Sequence, residues 1–327
     1  MRSNADAARK KGKKTVFITG STGRLGRPIV QELLMHGYTV RALAEKKSYL
    51  MDMPSGIVPY IGDISDKKTL KEASEGADIV IHLAAIVSEY KEYTQKLMEV
   101  NVKGTENVVE ACIGNSVGRL IFASTIDVYG RKRADMLTEE SPLKPSDKYG
   151  LSKMLAEEKI LEHRKELSPT IFRMAAIYGP GFESAYFKVF RAIKEGKAAI
   201  IGDGMNRIAL LHARDSVNAF ILGIENDRAA NNIYNVSDGN VYTLSQLFAM
   251  AAELLNVQKP TRHVSELVAR FVARSRDIDS DEFRFITSNR TMDISKIRRD
   301  LGFEPKVSMK QGMLELINMF VNMKDGR

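Results

Sequence analysis

The chain has one cysteine, Cys112, and no apolar run near the roughly 18–20 residues that a membrane span requires. A lone thiol forms no intrachain disulfide, so a reducing cytoplasm suits this protein. The neighbours in Val108-Val109-Glu110-Ala111-Cys112 read as the core face of a helix, which makes the thiol structural rather than nucleophilic. No apolar stretch precedes the first strand, so no signal peptide is expected. Internal repeats and low-complexity segments are also missing. His82 ends a buried-looking strand and has no second ligand at metal-site spacing, so it is assigned to the core and no metal is expected.

The formal charge of +8 is not a nucleic-acid signature. Arg2, Arg9, Lys10, Lys11, Lys13 and Lys14, six bases against Asp6, place +5 of that +8 in residues 1–14, which read as a flexible basic tail. The rest carries about +3 with both signs interspersed, so no nucleic-acid partner is expected. What the chain does have is size: 327 residues, 44% hydrophobic and 28% charged, enough for one large α/β domain or a large domain with a smaller one.

Thr15-Val16-Phe17-Ile18-Thr19 is a run of strand formers that leads into Gly20-Ser21-Thr22-Gly23-Arg24-Leu25-Gly26. An amphipathic helix with Ile29, Leu33 and Leu34 inside follows, closed by Gly37. Strand, glycine turn and helix together make a phosphate cradle, because glycines let backbone N–H groups approach a pyrophosphate at a helix N-terminus. The second strand, Tyr38 to Leu43, ends where an adenosine ribose would lie. Arg41, Lys46 and Lys47 there suggest a 2′-phosphate, and Glu45 counts for the unphosphorylated ribose.

A third strand, Ile57 to Ile61, runs out at Asp63-Ile64, and a fourth, Asp78 to His82, at Leu83-Ala84-Ala85. Asp63 is placed for an adenine amino group, and the small Ala84 and Ala85 for close approach of a cofactor. Residues 92–114 read as one long helix carrying Asn101, and Arg119 to Ser124 as a fifth strand. Alternation of this kind predicts a doubly wound parallel sheet with its site along the strand C-terminal edge. The fifth strand leads into Ser124-Thr125-Ile126-Asp127-Val128-Tyr129-Gly130. Ser146 and Asp147 are candidate caps for the next helix, whose first turns carry Tyr149 and Lys153 on one face. A nearby ammonium favours the phenolate and brings a tyrosine toward useful proton transfer.

In their order, Thr19-Gly20-Ser21-Thr22-Gly23-Arg24-Leu25-Gly26, Asp63-Ile64, Leu83-Ala84-Ala85, Asn101-Val102-Lys103-Gly104-Thr105, the 124–130 segment and Tyr149-Gly150-Leu151-Ser152-Lys153 resemble the extended short-chain dehydrogenases/reductases, the epimerase/dehydratase group. The resemblance covers residues 15–180 specifically and reaches more loosely to about residue 320. It implies a Rossmann-type α/β fold with a smaller C-terminal α/β substrate-binding region, 181–327, in which segments near 212–240 return to the Rossmann domain, 15–180. It implies Tyr149 as acid/base, Lys153 lowering its pKa and holding the nicotinamide ribose, Thr125 on the reacting oxygen, and Asn101 supporting the helix and proton path. Gly20, Thr22, Gly23, Arg24, Leu25, Gly26, Arg41, Asp63, Ile64, Leu83, Ala84, Ala85, Met174 and Ile177 are the further cofactor contacts expected. Met174 replaces a frequent family proline. Ser88, Thr125, Ile126 and Asp127 are the substrate contacts expected. NADP is favoured over NAD, with a small-molecule substrate and a homodimer.

The second half departs from the sugar-nucleotide enzymes. Ile208 occupies the place of their diphosphate-binding Arg, with Arg207 one residue off, and Ile126-Asp127 supplies one acid where 4,6-dehydratases have two. Residues 285–305 and the apolar helix around 267–272 resemble the dihydroflavonol-reductase and 3β-hydroxysteroid-dehydrogenase-like branch. That helix is basic and amphipathic, a lid or packing element more readily than a membrane-surface one, and no stable membrane insertion is expected. His212 precedes a helix, where it either packs or meets substrate. The leading expectation is hydride transfer between nicotinamide and a secondary alcohol or ketone. A nucleotide-diphosphate-sugar epimerase with tightly held NAD is the alternative. A cofactor-ratio sensor would not need Thr125, Tyr149 and Lys153.

Overall fold

The computed structural model describes residues 14–87, 94–275 and 286–325. Its strands begin with β1 Thr15–Thr19, β2 Thr39–Ala44, β3 Val58–Ile61, β4 Ile79–His82, β5 Arg119–Thr125, β6 Lys132–Leu137, β7 Thr170–Met174 and β8 Ala176–Tyr178. The second half adds β9 Ile200–Ile201, β10 Arg207–Ile208, β11 Leu210–His212, β12 Asn232–Val236, β13 Tyr242–Thr243, β14 His263–Val264 and β15 Asn289–Met292. Seven of them form one sheet in the order β12-β7-β5-β4-β1-β2-β3. Every pairing in it is parallel.

Parallel strands need both faces covered, and the sequence supplies the apolar runs for it. Val16, Ile18, Val40, Ile79, Ile81 and Ile121 face one layer, and Phe17, Leu43, Val80, Leu120 and Phe122 face the other. On the first side lie helix α1 Gly26–Met35, with Ile29, Val30 and Leu33 buried, and residues 213–225. On the second lie α2 Lys67–Ser74, α3 Thr94–Met98, α4 Gly104–Gly114 and α5 Lys148–Glu162. The chain moves outward one way from β1 through β2 to β3, then crosses to β4 and moves the other way. The resulting switch point between β1 and β4 opens a crevice at the strand C-terminal ends.

The helix read at 92–114 is interrupted: a π-turn, Glu99–Lys103, joins α3 to α4, and residues 92 and 93 lie outside the described residues. A widened turn of this kind commonly marks a functional site, and here it carries Asn101. A second core lies beyond the sheet. Helix α6 Glu183–Lys194 packs with α7 Leu244–Leu254 and α8 Met309–Asp325 through Phe190, Leu244, Phe248, Leu316 and Phe320. The edge strand β12 comes from the chain's second half and pairs with β7 from Asn232↔Thr170 to Val236↔Met174. His212 is fully buried. Its Nδ1 accepts the Arg214 N–H at 3.2 Å, capping the helix Ala213–Glu225. Ile208 is buried in the second core, and Arg207 beside it is half-buried, with its backbone N–H donating to Asn289 Oδ1 at 2.9 Å.

The parallel pair β6–β15 has no signature in the sequence. It joins residues more than 150 positions apart, through Asn289↔Lys132 and Met292↔Leu137. Among the described residues no helix is long and apolar enough to cross a membrane, and no cluster of His, Cys, Asp or Glu is placed to hold a metal.

Candidate active site

The glycines define the first part. Gly20 has φ +69°, and a Cβ on it would stand 2.6 Å from the Ala84 backbone nitrogen. A Cβ on Gly26 would stand 2.1 Å from the Gly20 oxygen. No other residue fits at either place, because backbone lies on the far side. The turn is drawn tight by the Gly23 N–H donating to the Gly20 carbonyl at 3.1 Å. Leu25 is the N-cap of α1. It gives no side-chain cap, and the first turn holds no acid, so the positive end of the helix dipole stays available to an anion. A dinucleotide pyrophosphate fits such a cradle. Arg24 is exposed, Thr22 is half-buried, and the Thr22 carbonyl accepts the Arg27 Nε–H at 2.9 Å.

Opposite this turn, Leu83, Ala84 and Ala85 are half-buried at the end of β4. Gly181, after β8, comes close enough that a Cβ on it would lie 3.8 Å from the Arg24 carbonyl. Ile177 in β8 is half-buried, and Met174, the last residue of β7, is buried. Asp63 is exposed, and its Oδ1 accepts from the Ser65 N–H at 2.6 Å. Ile64 is buried, and a Cβ on Gly104 would meet its Cδ1 at 2.4 Å.

Arg41 turns its side chain to a helix end. Its Nη1 donates to the Ala73 carbonyl at 2.9 Å and to the Glu75 carbonyl, at the end of α2. The guanidinium therefore satisfies backbone carbonyls at that helix end.

The second part is built on α5. Asp147 caps it by accepting the Gly150 N–H at 2.7 Å, and Arg131 fixes that carboxylate at 2.8 Å. Tyr149 is half-buried in the first turn. Lys153, one turn on, is buried, with its Nζ 4.0 Å from the centroid of the Phe122 ring. Burial pushes the Lys153 pKa down to about 7, against a smaller upward pull from Glu157. Asn101 is buried on the π-turn. Its Nδ2 donates to the Ile86 carbonyl at 2.9 Å and to Ser152 Oγ at 2.9 Å, and its Oδ1 accepts the Ile86 N–H at 2.8 Å. Ser152 in turn donates to the Tyr149 carbonyl at 2.8 Å. The amide thus ties the segment after β4 to the tyrosine's own turn of helix.

Thr125 closes β5 and caps the short 3-10 helix Ile126–Tyr129. Its Oγ1 donates to Asp127 Oδ2 at 2.9 Å and accepts the Asp127 N–H at 3.2 Å. Asp127 Oδ1 meets Arg290 Nη2 at 2.5 Å. Desolvation alone would raise this carboxyl's pKa, but Arg290 and the Thr125 hydroxyl outweigh it and hold the pKa below the ordinary carboxylate value. Ile126 is 3% exposed, and its side chain packs into the core with Val128 and Tyr129. Ser88 lies outside the described residues.

Two groups escaped the sequence reading. Arg290 left no local signal. Glu157 was legible in principle, four residues after Lys153 on the same helix face. It is buried and accepts from Ser124 Oγ and from Arg173, whose Nη2 lies at 2.7 Å. Arg173 Nη1 continues to Tyr129 Oη at 2.8 Å, and Tyr129 donates to Asn235 at 2.8 Å. This network joins β5, α5, β7 and β12 behind the candidate site. His82 is fully buried between Thr19 and Thr105 at 2.7 and 2.9 Å. Desolvation lowers its pKa to about 3, as befits a neutral core imidazole. Cys112 is buried with its pKa pushed up to about 12, a structural thiol.

A glycine cradle at the β1–β4 switch point, facing a helix with Tyr149 and a buried Lys153, can be compared with known proteins. The model of the NAD dependent epimerase/dehydratase family matches residues 16–237. The chain belongs to this family. It is an enzyme of the extended short-chain dehydrogenase/reductase type. The UDP-glucose 4-epimerase of Vibrio cholerae is 27% identical, with 95% of this chain and 97% of that protein aligned. The 3-beta-hydroxysteroid dehydrogenase of Mycolicibacterium neoaurum is 26% identical over 95% of this chain and 92% of that one. Among solved structures, MoeE5 in complex with UDP-glucose and NAD superposes with a TM-score of 0.76 at 25% identity, covering 96% of this chain and 99% of its own. The family relatives thus include both epimerases and dehydrogenases.

Proposed function

We propose that this family member is an NAD(P)-dependent oxidoreductase that interconverts a secondary alcohol and a ketone. The observation that carries the reading is Lys153, buried one turn from Tyr149 on a helix seated against the turn that follows Thr125. A bound nicotinamide would supply or accept the hydride. The chain's own part is the proton and the oxygen. Tyr149 passes the proton at its phenol oxygen, with Lys153 stabilising the phenolate when charged. Thr125 holds the reacting oxygen at its hydroxyl, and Asn101 positions the tyrosine's helix through Ser152. A cleft of about 400 Å³ lined by Asp203, Asn206, Glu266, Thr287 and Asn289 lies within the chain's second half, residues 181–327, to which we assign substrate binding.

For the cofactor, the end of β2 favours NAD. Arg41 is engaged elsewhere, and Glu45 sets an exposed carboxylate directly after the strand, where a 2′-phosphate would be repelled. Lys46 and Lys47 keep NADP as the competing form.

A second reading, a sugar-nucleotide epimerase, is favoured by the near-complete alignment with the Vibrio enzyme. Net cofactor turnover separates the two. The purified protein is titrated with NADH and NADPH by fluorescence, then assayed with epiandrosterone and with UDP-glucose. Exchangeable cofactor and net NADH formation from the alcohol support the oxidoreductase. Co-purified NAD with conversion of UDP-glucose and no net redox would replace it by the epimerase. Tyr149→Phe is expected to abolish turnover and retain cofactor binding, and a fully active variant would remove the assignment of the acid/base.

A further inference from the structure

The Thr125 hydroxyl has one proton and two lone pairs to distribute. In this structure the proton goes to Asp127 Oδ2 at 2.9 Å, and one lone pair takes the Asp127 N–H at 3.2 Å. What remains for a ligand is a lone pair. We propose that Asp127, oriented by Arg290, sets the polarity of Thr125 so that the site binds an alcohol, which can donate to that lone pair, more tightly than the corresponding ketone, which cannot. The proposal rests on the alcohol–ketone reading above and adds to it a positioning residue that acts through Thr125.

Asp127 is held to this task from two sides. Its backbone carbonyl lies under Gly150, where a Cβ would come within 2.5 Å. Its carboxylate Oδ1 is taken by Arg290 Nη2 at 2.5 Å. The Arg290 guanidinium is itself fixed, because Nη1 donates to the Gly130 carbonyl at 2.8 Å and the Ile126 carbonyl at 3.2 Å. Arg290 is 8% exposed and belongs to β15, which the pairing with β6 brings to this turn. An ionised carboxylate only accepts, so Oδ2 can do nothing but receive the Thr125 proton. Arg131, the other guanidinium near this carboxylate, also favours its ionised form.

In the complex with reduced cofactor, where Tyr149 is protonated as it must be to reduce a ketone and donates to the ligand oxygen, an alcohol completes the set by giving its own proton to Thr125; during alcohol oxidation that proton passes instead to the Tyr149 phenolate. A ketone presents a second lone pair to the Thr125 lone pair. It binds fully only if Thr125 abandons Asp127, which leaves a buried acceptor short of a partner.

Asp127→Asn tests this directly. Arg290 donates, so it draws the amide oxygen to itself and turns the NH2 group toward Thr125. The amide then donates to Thr125, whose proton is released toward the ligand. Two complexes that cannot react at C3 are measured by calorimetry: epiandrosterone with enzyme and NADH, and androstanedione with enzyme and NAD. In the wild type the alcohol is expected to bind about tenfold more tightly, the scale of one hydrogen bond made or lost, and Asp127→Asn is expected to erase or reverse that ratio. Asp127→Glu, which can only accept, should restore the alcohol preference.

Should Asp127→Asn fail to fold, Thr125→Val and Thr125→Ser carry the test. The valine variant should lose the preference and the serine variant keep it. A wild type that binds NADH without favouring epiandrosterone overturns the proposal, as does a preference unchanged in Asp127→Asn or in Thr125→Val. Failure of the wild type to bind either NADH or NADPH marks instead the failure of the underlying oxidoreductase reading.

Discussion

Gly150 lies so close to Asp127 that a Cβ on it would stand 2.5 Å from the Asp127 carbonyl oxygen and 3.2 Å from the Pro145 Cβ. This contact seats the first turn of α5 on the 3-10 turn after Thr125. It therefore sets where Tyr149 and Lys153 stand relative to the end of β5. Gly150→Ala must push helix and turn apart, since the obstructing atom is backbone. We expect a loss on the order of 1–3 kcal/mol in stability, with turnover reduced more than NADH affinity. Denaturant melts and cofactor titrations check it, and an unaltered rate would mean that the seating has no part in placing Tyr149.

Glu157 and Arg173 form a buried pair, at 1% and 3% exposure. Removing one partner leaves the other charge buried alone. Glu157→Ala is expected to cost roughly 3–5 kcal/mol, in the range for broken buried pairs. Urea unfolding measures it. A loss below about 1 kcal/mol, the level of an exposed pair, would contradict the view that this network carries the sheet behind the site.

Lys153 gives a pH signature. Its folded pKa, about 7, lies below the ordinary 10.5, so between these values the unfolded chain holds more protons than the folded one. Stability from this group therefore rises as pH climbs from about 7 toward about 10, and below that window the burial penalty is fully present. The gap in stability between wild type and Lys153→Met should change across this window in the wild type's favour. Melting both proteins at several pH values tests it; parallel curves would mean that the ammonium is better solvated than its burial implies.

Arg41→Ala isolates this helix-end contact. Because Arg41 caps the end of α2, the substitution should lower the melting temperature and weaken NADH and NADPH equally. A selective loss of NADPH affinity would return Arg41 to the 2′-phosphate site.

Much of this protein was legible in order along the chain. The alternating apolar runs and glycine turns determine a parallel sheet, because each strand and its following helix are local units whose pattern depends on neighbours a few residues away. The Gly20–Gly26 turn and the Tyr149–Lys153 spacing are local in the same sense. Strand ends differ from their sequence positions by about one residue, and the π-turn at Asn101 has no local signal, since the Asn101 amide bonds a backbone segment 15 residues away.

Tertiary structure alone decided the rest. Arg41 reads as a free cation beside a ribose site, yet the pleat turns its side chain toward α2, where unsatisfied carbonyls take it. Ile126 sits within a motif of polar residues, but the turn rotates it into the core. Arg290 lies 163 positions from Asp127, and only the pairing of β15 with β6 brings the two together. Local periodicity fixes which elements form. Which distant charges meet is fixed by packing, because a buried guanidinium or carboxylate must find its partner wherever the fold provides one.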